Sequence, residues 1–162
     1  MKHILSVLVN NSSGVLSHVT SLFTRRGYNI DSLSVAETEN KGRSIITMVV
    51  NEEKSMIAQI EKQLYKLMDV ISIENLSNRD SLERELVLIT VKVVREKREE
   101  ILSLVDLFKA HIVDMSEEAV LMELVGNPRR VRSFIRALSE YGIIRMARTG
   151  TVSLPFPSAE DE

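Results

Sequence analysis

The 162-residue sequence contains no cysteine, so several kinds of chemistry are excluded at once. Without a thiol the chain can form no disulfide, use no thiolate nucleophile and offer no cysteine ligand to zinc. A strong charge of either sign is also missing: 21 basic and 23 acidic residues give a net charge of −2, which argues against a surface for nucleic-acid phosphates. No apolar run is long enough to span a membrane, and the first residues lead into a strand pattern rather than a signal peptide. We therefore expect a cytoplasmic protein without nucleic-acid or membrane partners.

Groups for catalysis and metal binding are equally scarce. The three histidines, His3, His18 and His111, lie in different predicted elements and have no second ligand at helical spacing. Serines are frequent, but none lies in a nucleophile-elbow glycine pattern. Gly14 stands alone in its segment, so no phosphate-binding glycine loop is present. We expect no catalytic residue, metal or cofactor in this chain.

Hydrophobic spacing in the first half alternates between strand and helix patterns. Strands are predicted at 3–9, 28–35, 44–50 and 70–73, and helices at 14–26 and around Ile57, Ile60, Leu64 and Leu67. Gly27 ends the first helix, and Asn40-Lys41-Gly42 forms a hairpin turn. The resulting order of strand, helix, strand, strand, helix, strand predicts two helices packed on one face of a four-stranded antiparallel sheet.

A polar stretch at 77–81 separates this pattern from a second copy of it. Strands are predicted at 86–94, 112–113, 119–121 and 143–147, with helices through 101–108 and between Asn127-Pro128 and Gly142. The sequence therefore predicts an α+β chain with two ferredoxin-like βαββαβ domains in tandem, at 1–77 and 82–154, followed by a loose C-terminal tail at 155–162. Domains of this size are marginal alone, so association is expected.

The stretch Val9-Asn10-Asn11-Ser12-Ser13-Gly14-Val15-Leu16 joins the first strand to the first helix. Asparagine and serine can satisfy the free N–H groups at a helix start, and any N–H group left open can hold an anion such as a carboxylate. Gly14 lets a bound molecule approach the backbone. Two interpretations follow: a ligand cradle, or a well-capped turn that binds nothing. The second half has the charged run 95–98 at this place, so the candidate cradle occurs once. Its candidate binding residues in the loop are Asn11, Ser12, Ser13 and Gly14.

Several segments, in order along the chain, resemble one known family. They are Ile4-Leu5-Ser6-Val7-Leu8-Val9-Asn10-Asn11, Arg25-Arg26-Gly27-Tyr28-Asn29-Ile30-Asp31-Ser32-Leu33, Gln59-Ile60-Glu61-Lys62-Gln63-Leu64, Glu83-Arg84-Glu85-Leu86, Ile112-Val113-Asp114 and Ala147-Arg148-Thr149-Gly150. In these the chain resembles the small regulatory subunit of acetohydroxyacid synthase (acetolactate synthase), whose first half is an ACT domain. The resemblance implies a homodimer with paired ACT domains, valine or another branched-chain amino acid bound between them, and a catalytic large subunit as partner. Thiamine diphosphate, Mg and FAD are implied for that large subunit, not for this chain.

The resemblance also assigns site residues. Asn11, Gly14 and Asn29 correspond to the family's loop asparagine, its helix-opening glycine and the asparagine that begins its second strand. Three apolar side chains are expected to line a pocket for an isopropyl group: Val15, Leu16 and Ile30. One departure is that relatives often carry a charged residue and a proline where this chain has Ser12-Ser13.

The implied function is that of a regulatory subunit in branched-chain amino-acid biosynthesis, which activates the catalytic subunit and transmits feedback inhibition. One alternative is a free-standing amino-acid sensor that controls transcription or another enzyme. The chain has neither a helix-turn-helix segment nor a basic face for that role. A second alternative is an acyl-phosphate hydrolase of the same fold, which would use a first-loop arginine together with Asn10 or Asn11. The first loop has no arginine.

Overall fold

A computed structural model describes residues 1–159 of the chain, in two compact units. The first unit comprises Met1–Leu82 together with the segment that begins at Gly150, and the second comprises Glu83–Thr149. Each unit contains the predicted order of strand, helix, strand, strand, helix, strand. The α+β class and the repeated βαββαβ pattern are therefore confirmed. In the described part of the chain no helix has the length and apolarity needed to cross a membrane.

The first unit is a four-stranded antiparallel sheet with the strand order β2-β3-β1-β4. Its elements are β1 (Lys2–Asn10), α1 (Val15–Arg26), β2 (Ile30–Glu37), β3 (Arg43–Asn51), α2 (Lys54–Leu64) and β4 (Val70–Asn75). The apolar faces of both helices pack on one face of the sheet. The core they form is made of Leu5, Val7, Val9, Val15, Val19, Leu22, Phe23, Ile46, Met48, Val50, Ile57, Ile60 and Leu64. Gly27 ends α1 in the left-handed conformation, with a φ of +69°, as predicted.

The opposite face of this sheet is also covered. Ile4 and Val49 form a separate buried cluster there with Leu76, which lies in the short 3-10 turn Leu76–Asn78 after β4. The N–H group of Thr151 donates a hydrogen bond to the Ser32 hydroxyl oxygen at 2.8 Å. Because Ser32 pairs with Val49 across the sheet, the returning C-terminal segment lies on this face. The central strand β1 is thus buried on both sides, as its apolar sequence predicts.

The C-terminal segment departs from the predicted boundaries. The second domain was expected to run to 154 and to be followed by a loose tail at 155–162. Instead the chain rejoins the first unit at Gly150 and forms β9 (Val152–Pro155), and the N–H group of Phe156 donates to the Asp80 carbonyl oxygen at 3.0 Å. A Cβ atom on Gly150 would lie 2.6 Å from the Leu33 carbonyl oxygen, so only glycine permits this approach. Residues 160–162 of the expected tail lie outside the described residues.

The second unit repeats the arrangement, with the strand order β6-β7-β5-β8. Its elements are β5 (Ser81–Lys92), α3 (Arg98–Phe108), β6 (His111–Met115), β7 (Ala119–Gly126), α4 (Pro128–Ser139) and β8 (Ile143–Arg148). Asn127 caps α4, because its side-chain oxygen accepts a hydrogen bond from the Arg130 N–H group at 2.8 Å. The core of this unit is made of Val87, Ile89, Val91, Val93, Ile101, Val105, Ala110, Val120, Met122, Leu124, Val131, Phe134 and Leu138.

Candidate functional site

The loop between β1 and α1 is held at one end of the first sheet by backbone hydrogen bonds. The N–H group of Asn10 donates to the Asp69 carbonyl oxygen at 2.8 Å, and that of Asn11 donates to the Gly42 carbonyl oxygen at 2.7 Å. Asp69 directly precedes β4, and Gly42 directly precedes β3. The residues that precede β3 and β4, the two strands paired with β1, therefore hold the loop in a defined position.

The helix start is open rather than capped. Gly14 occupies the position before α1 with a φ of +88°, and no side chain makes a capping hydrogen bond there. The first helical bond of normal length runs from the His18 N–H group to the Gly14 carbonyl oxygen at 2.9 Å. Among residues 1–159, no acceptor is found for the N–H groups of Leu16 and Ser17. Two donors at the positive end of the helix dipole thus face outwards, which is the arrangement that favours a bound anion.

Two side chains that no local sequence pattern marks as site residues, Asp69 and His18, complete this surface. The Ser12 hydroxyl donates to Oδ1 of Asp69 at 2.8 Å, and Oδ2 of Asp69 lies 3.8 Å from Nδ1 of His18. The His18 ring also lies next to Gly14, where a Cβ atom would be 4.0 Å from it. An open groove of about 470 Å³ continues from His18 along α1. It is lined by His18, Ser21, Thr24, Arg25 and Leu67.

The combination of serine, aspartate and histidine does not form a catalytic triad. An activated serine donates its proton to a histidine base, whereas Ser12 donates to the Asp69 carboxylate. No group of three or more histidine, aspartate and glutamate side chains suited to a metal ion is found within the described ranges. The arrangement is suited to holding a small charged molecule.

The predicted residues of the loop and the start of α1 differ in their exposure to solvent. Val15 is buried in the core and is only 6% exposed, whereas Leu16 is 42% exposed. Asn11 and Ser13 are exposed on the same loop, beside Gly14. Leu16 is therefore the exposed apolar side chain at the start of α1, and Val15 anchors the helix beneath it.

The last two predicted residues, Asn29 and Ile30, lie at the other end of the sheet. Ile30 pairs with Val50, which pairs with His3 near the start of β1, while the loop follows the end of β1 at Asn10. His3 and Asn10 are seven residue steps apart along the strand, a distance of about 24 Å. Within one chain the structure thus brings six of the predicted residues together at the loop and holds the other two apart from them. The six are Asn11, Ser12, Ser13, Gly14, Val15 and Leu16.

The equivalent loop of the second unit is built differently. It forms a 3-10 turn, Arg95–Lys97, beside an open cavity of about 420 Å³ with mostly charged walls. The Lys97 ammonium lies 2.9 Å from Oε1 of Glu100, and the Tyr141 hydroxyl donates to Oε2 of Glu100 at 3.0 Å. The hydrogen bonds from Lys97 and Tyr141 lower the pKa of Glu100, and the bonds to Glu100 raise the pKa values of Lys97 and Tyr141. An ionic network thus takes the place of the open cradle.

Comparison with known proteins gives consistent matches along the chain. Residues 5–72 match the profile of the AHAS small subunit-like ACT domain, and residues 84–155 match that of the small subunit of acetolactate synthase. The acetolactate synthase small subunit of Mycolicibacterium smegmatis is 45% identical over 152 residues, which covers 94% of this chain and 89% of the relative. The acetolactate synthase small subunit of Bacillus subtilis is 40% identical over 154 residues, which covers 94% of this chain and 90% of the relative.

A solved structure supports the same grouping. The acetolactate synthase small subunit of Thermotoga maritima superimposes with a TM-score of 0.90 at 37% sequence identity. The superposition covers 96% of this chain and 98% of the other. The agreement therefore extends over most of the chain.

Proposed function

Because this chain belongs to the family of acetolactate synthase small subunits, we propose that it activates a catalytic large subunit and makes that subunit sensitive to a branched-chain amino acid. In this proposal the chain regulates and has no catalytic residues of its own. Thiamine diphosphate, Mg and FAD are assigned to the large subunit. Valine is the first effector to test, since the start of α1 has an exposed apolar side chain, Leu16, beside the polar groups of the loop.

The open start of α1 is the observation that carries the effector proposal. A free amino acid has a carboxylate, and the exposed N–H groups of Leu16 and Ser17 are donors without an acceptor among residues 1–159. Hydrogen bonds to an ionised acceptor are stronger than neutral ones, and the helix dipole adds to the attraction. The absence of a Cβ at Gly14 leaves room for the ligand above the helix start.

The separation of Asn29 from the loop supports a site shared by two copies of the chain. Strands β1 and β2 both run antiparallel to β3, so they point in the same direction, and β2 is the edge strand. Two β2 edges related by a twofold axis run antiparallel to each other. The start of β2 in the partner, with Asn29 and Ile30, then faces the end of the sheet where the loop lies. We therefore propose a homodimer that binds its effector across the dimer interface.

Reconstitution with the catalytic large subunit tests the regulatory role. The small subunit is expected to raise the activity of the large subunit and to make it inhibitable by valine, with leucine and isoleucine as comparisons. The coupling between effector and activity is expected to be about 1–3 kcal/mol, or roughly 5- to 150-fold. A chain that leaves the activity unchanged would contradict the proposal and favour a free-standing sensor, for which a gel-shift assay with and without amino acids is the direct test.

Subunit mixing tests the shared site. Asn11→Ala and Asn29→Ala are each expected to lose valine binding as homodimers. Random mixing of the two variants makes about half of the dimers heterodimers, in which one of the two sites is intact. Calorimetry should then detect about one quarter of the wild-type number of sites. If each site is formed within a single chain, mixing restores none of them.

A further inference from the structure

We propose that the Asp69 carboxylate binds the α-ammonium group of the effector, so that the cradle selects amino acids over carboxylic acids that lack an amine. The inference rests on the proposed function, because it concerns the same site. It adds a residue that lies 57 positions from Ser12 in the sequence and reaches the loop through the pairing of β4 with β1.

The position of Asp69 is fixed because its backbone is hydrogen-bonded to the loop. Its carbonyl oxygen accepts the Asn10 N–H group at 2.8 Å, and Val70 next to it pairs with Val9 at the end of β1. The side chain is 28% exposed, so it is neither buried in the core nor free in solvent. The carboxylate therefore has a defined location beside the loop, next to the Ser12 hydroxyl.

The carboxylate has unused hydrogen-bonding capacity. An ionised carboxylate offers about four lone-pair sites, and the Ser12 hydroxyl occupies one of them at 2.8 Å. Nδ1 of His18 lies 3.8 Å from Oδ2, which is longer than a hydrogen bond. An ammonium group, which has three donors, can use the remaining acceptor sites without displacing Ser12.

The two ends of the cradle have opposite polarity. The open N–H groups of Leu16 and Ser17 attract a carboxylate, while Asp69 repels one and attracts an ammonium group. A simple carboxylic acid satisfies the helix start but leaves its own charge close to Asp69. An amino acid satisfies both ends, so the resident carboxylate discriminates between the two ligand classes.

Calorimetry on the full-length protein tests this with L-valine and isovalerate, which share a carbon skeleton and differ by the amine. The wild-type protein should bind isovalerate at least about 10-fold more weakly than valine. Asp69→Asn removes the charge but keeps an oxygen that can accept the Ser12 hydroxyl. This variant should bind valine about 10- to 100-fold more weakly and isovalerate as tightly as the wild type or more tightly.

Two control variants separate charge from loop structure. Ser12→Ala removes the hydrogen bond that ties the loop to Asp69 but keeps the carboxylate, so the preference for valine over isovalerate should remain. Asp106→Asn removes an exposed carboxylate from α3 and should change neither affinity. Thermal melting establishes that each variant is folded.

The possible outcomes distinguish a wrong role for Asp69 from a wrong effector site. A wild-type protein that binds valine and isovalerate equally overturns the role of Asp69 without reference to any variant. The same conclusion follows if Asp69→Asn keeps the wild-type preference. A wild-type protein that binds neither ligand contradicts the proposed effector site itself, and with it this inference.

Discussion

Substitution of Gly14 by aspartate is the sharpest perturbation of the candidate site. It places a carboxylate at the start of α1, where an effector carboxylate is expected to bind. The left-handed conformation at Gly14 costs a non-glycine residue about 1–2 kcal/mol, although aspartate and asparagine are among the residues that adopt it. A Cβ atom there meets only the His18 ring at 4.0 Å, an ordinary contact. The fold should therefore tolerate the change.

The expected effect on binding comes from charge. Hydrogen bonds to a charged group contribute about 1.5–3 kcal/mol each, and the new carboxylate both competes for the N–H groups of Leu16 and Ser17 and repels the ligand. For an exposed loop we expect a total loss of about 2–3 kcal/mol, or roughly 30- to 150-fold in valine affinity. Gly14→Asn is the matched control, since it has similar backbone strain and size but no charge.

The assay is valine inhibition of the reconstituted complex, with activation of the large subunit measured in the same samples. Gly14→Asp should abolish valine sensitivity at concentrations that inhibit the wild type, while activation is retained. Gly14→Asn should lose clearly less sensitivity. If both variants lose the same amount, backbone strain rather than charge is responsible. If Gly14→Asp remains fully sensitive, the start of α1 does not bind the effector carboxylate.

Three further predictions concern stability, each measured by urea denaturation. Gly150→Ala should destabilise the protein by about 1–3 kcal/mol, because the added methyl group would lie 2.6 Å from the Leu33 carbonyl oxygen; an unchanged midpoint would show that the C-terminal segment is not packed there. Asn127→Ala should cost about 1 kcal/mol by removing the cap of α4, and no loss would mean that the cap is not formed. Glu100→Gln should lower stability at neutral pH. Because the folded-state pKa of Glu100 is lowered, the difference from wild type should shrink as the pH falls below the ordinary value of 4.5. Because the pKa of Lys97 is raised, the difference should also shrink as the pH rises above 10.5. A pH-independent difference would contradict the ionic network.

Much of the fold could be predicted because its signals are local. Gly27 ends α1 through its own positive φ, and Asn127 caps α4 through a hydrogen bond three residues away. The loop at Gly14 could be selected for the same reason, since the end of an apolar run, polar residues and a helix start are adjacent in the sequence. Sequence could not decide whether these polar residues cap the helix. The structure shows no side-chain cap there.

The parts that could not be predicted depend on distant contacts. Asp69 reaches the loop only because β4 pairs with β1, and no local pattern marks it. The four-residue β9 is too short for hydrophobic periodicity, and Gly150 is explained only by its approach to Leu33. The distance between Asn29 and the loop likewise follows from the strand directions in the assembled sheet, not from spacing in the sequence.

The return of the chain to its first unit has a consequence for biosynthesis. Leu82 and Gly150 belong to one unit, so that unit is assembled from two segments that lie on either side of the second unit in the sequence. During translation the N-terminal unit can form its helices and sheet early, but the second face of its sheet is covered only when the segment that begins at Gly150 leaves the ribosome. A product terminated before Gly150 would therefore lack part of the N-terminal unit, although all of Met1–Leu82 had been made.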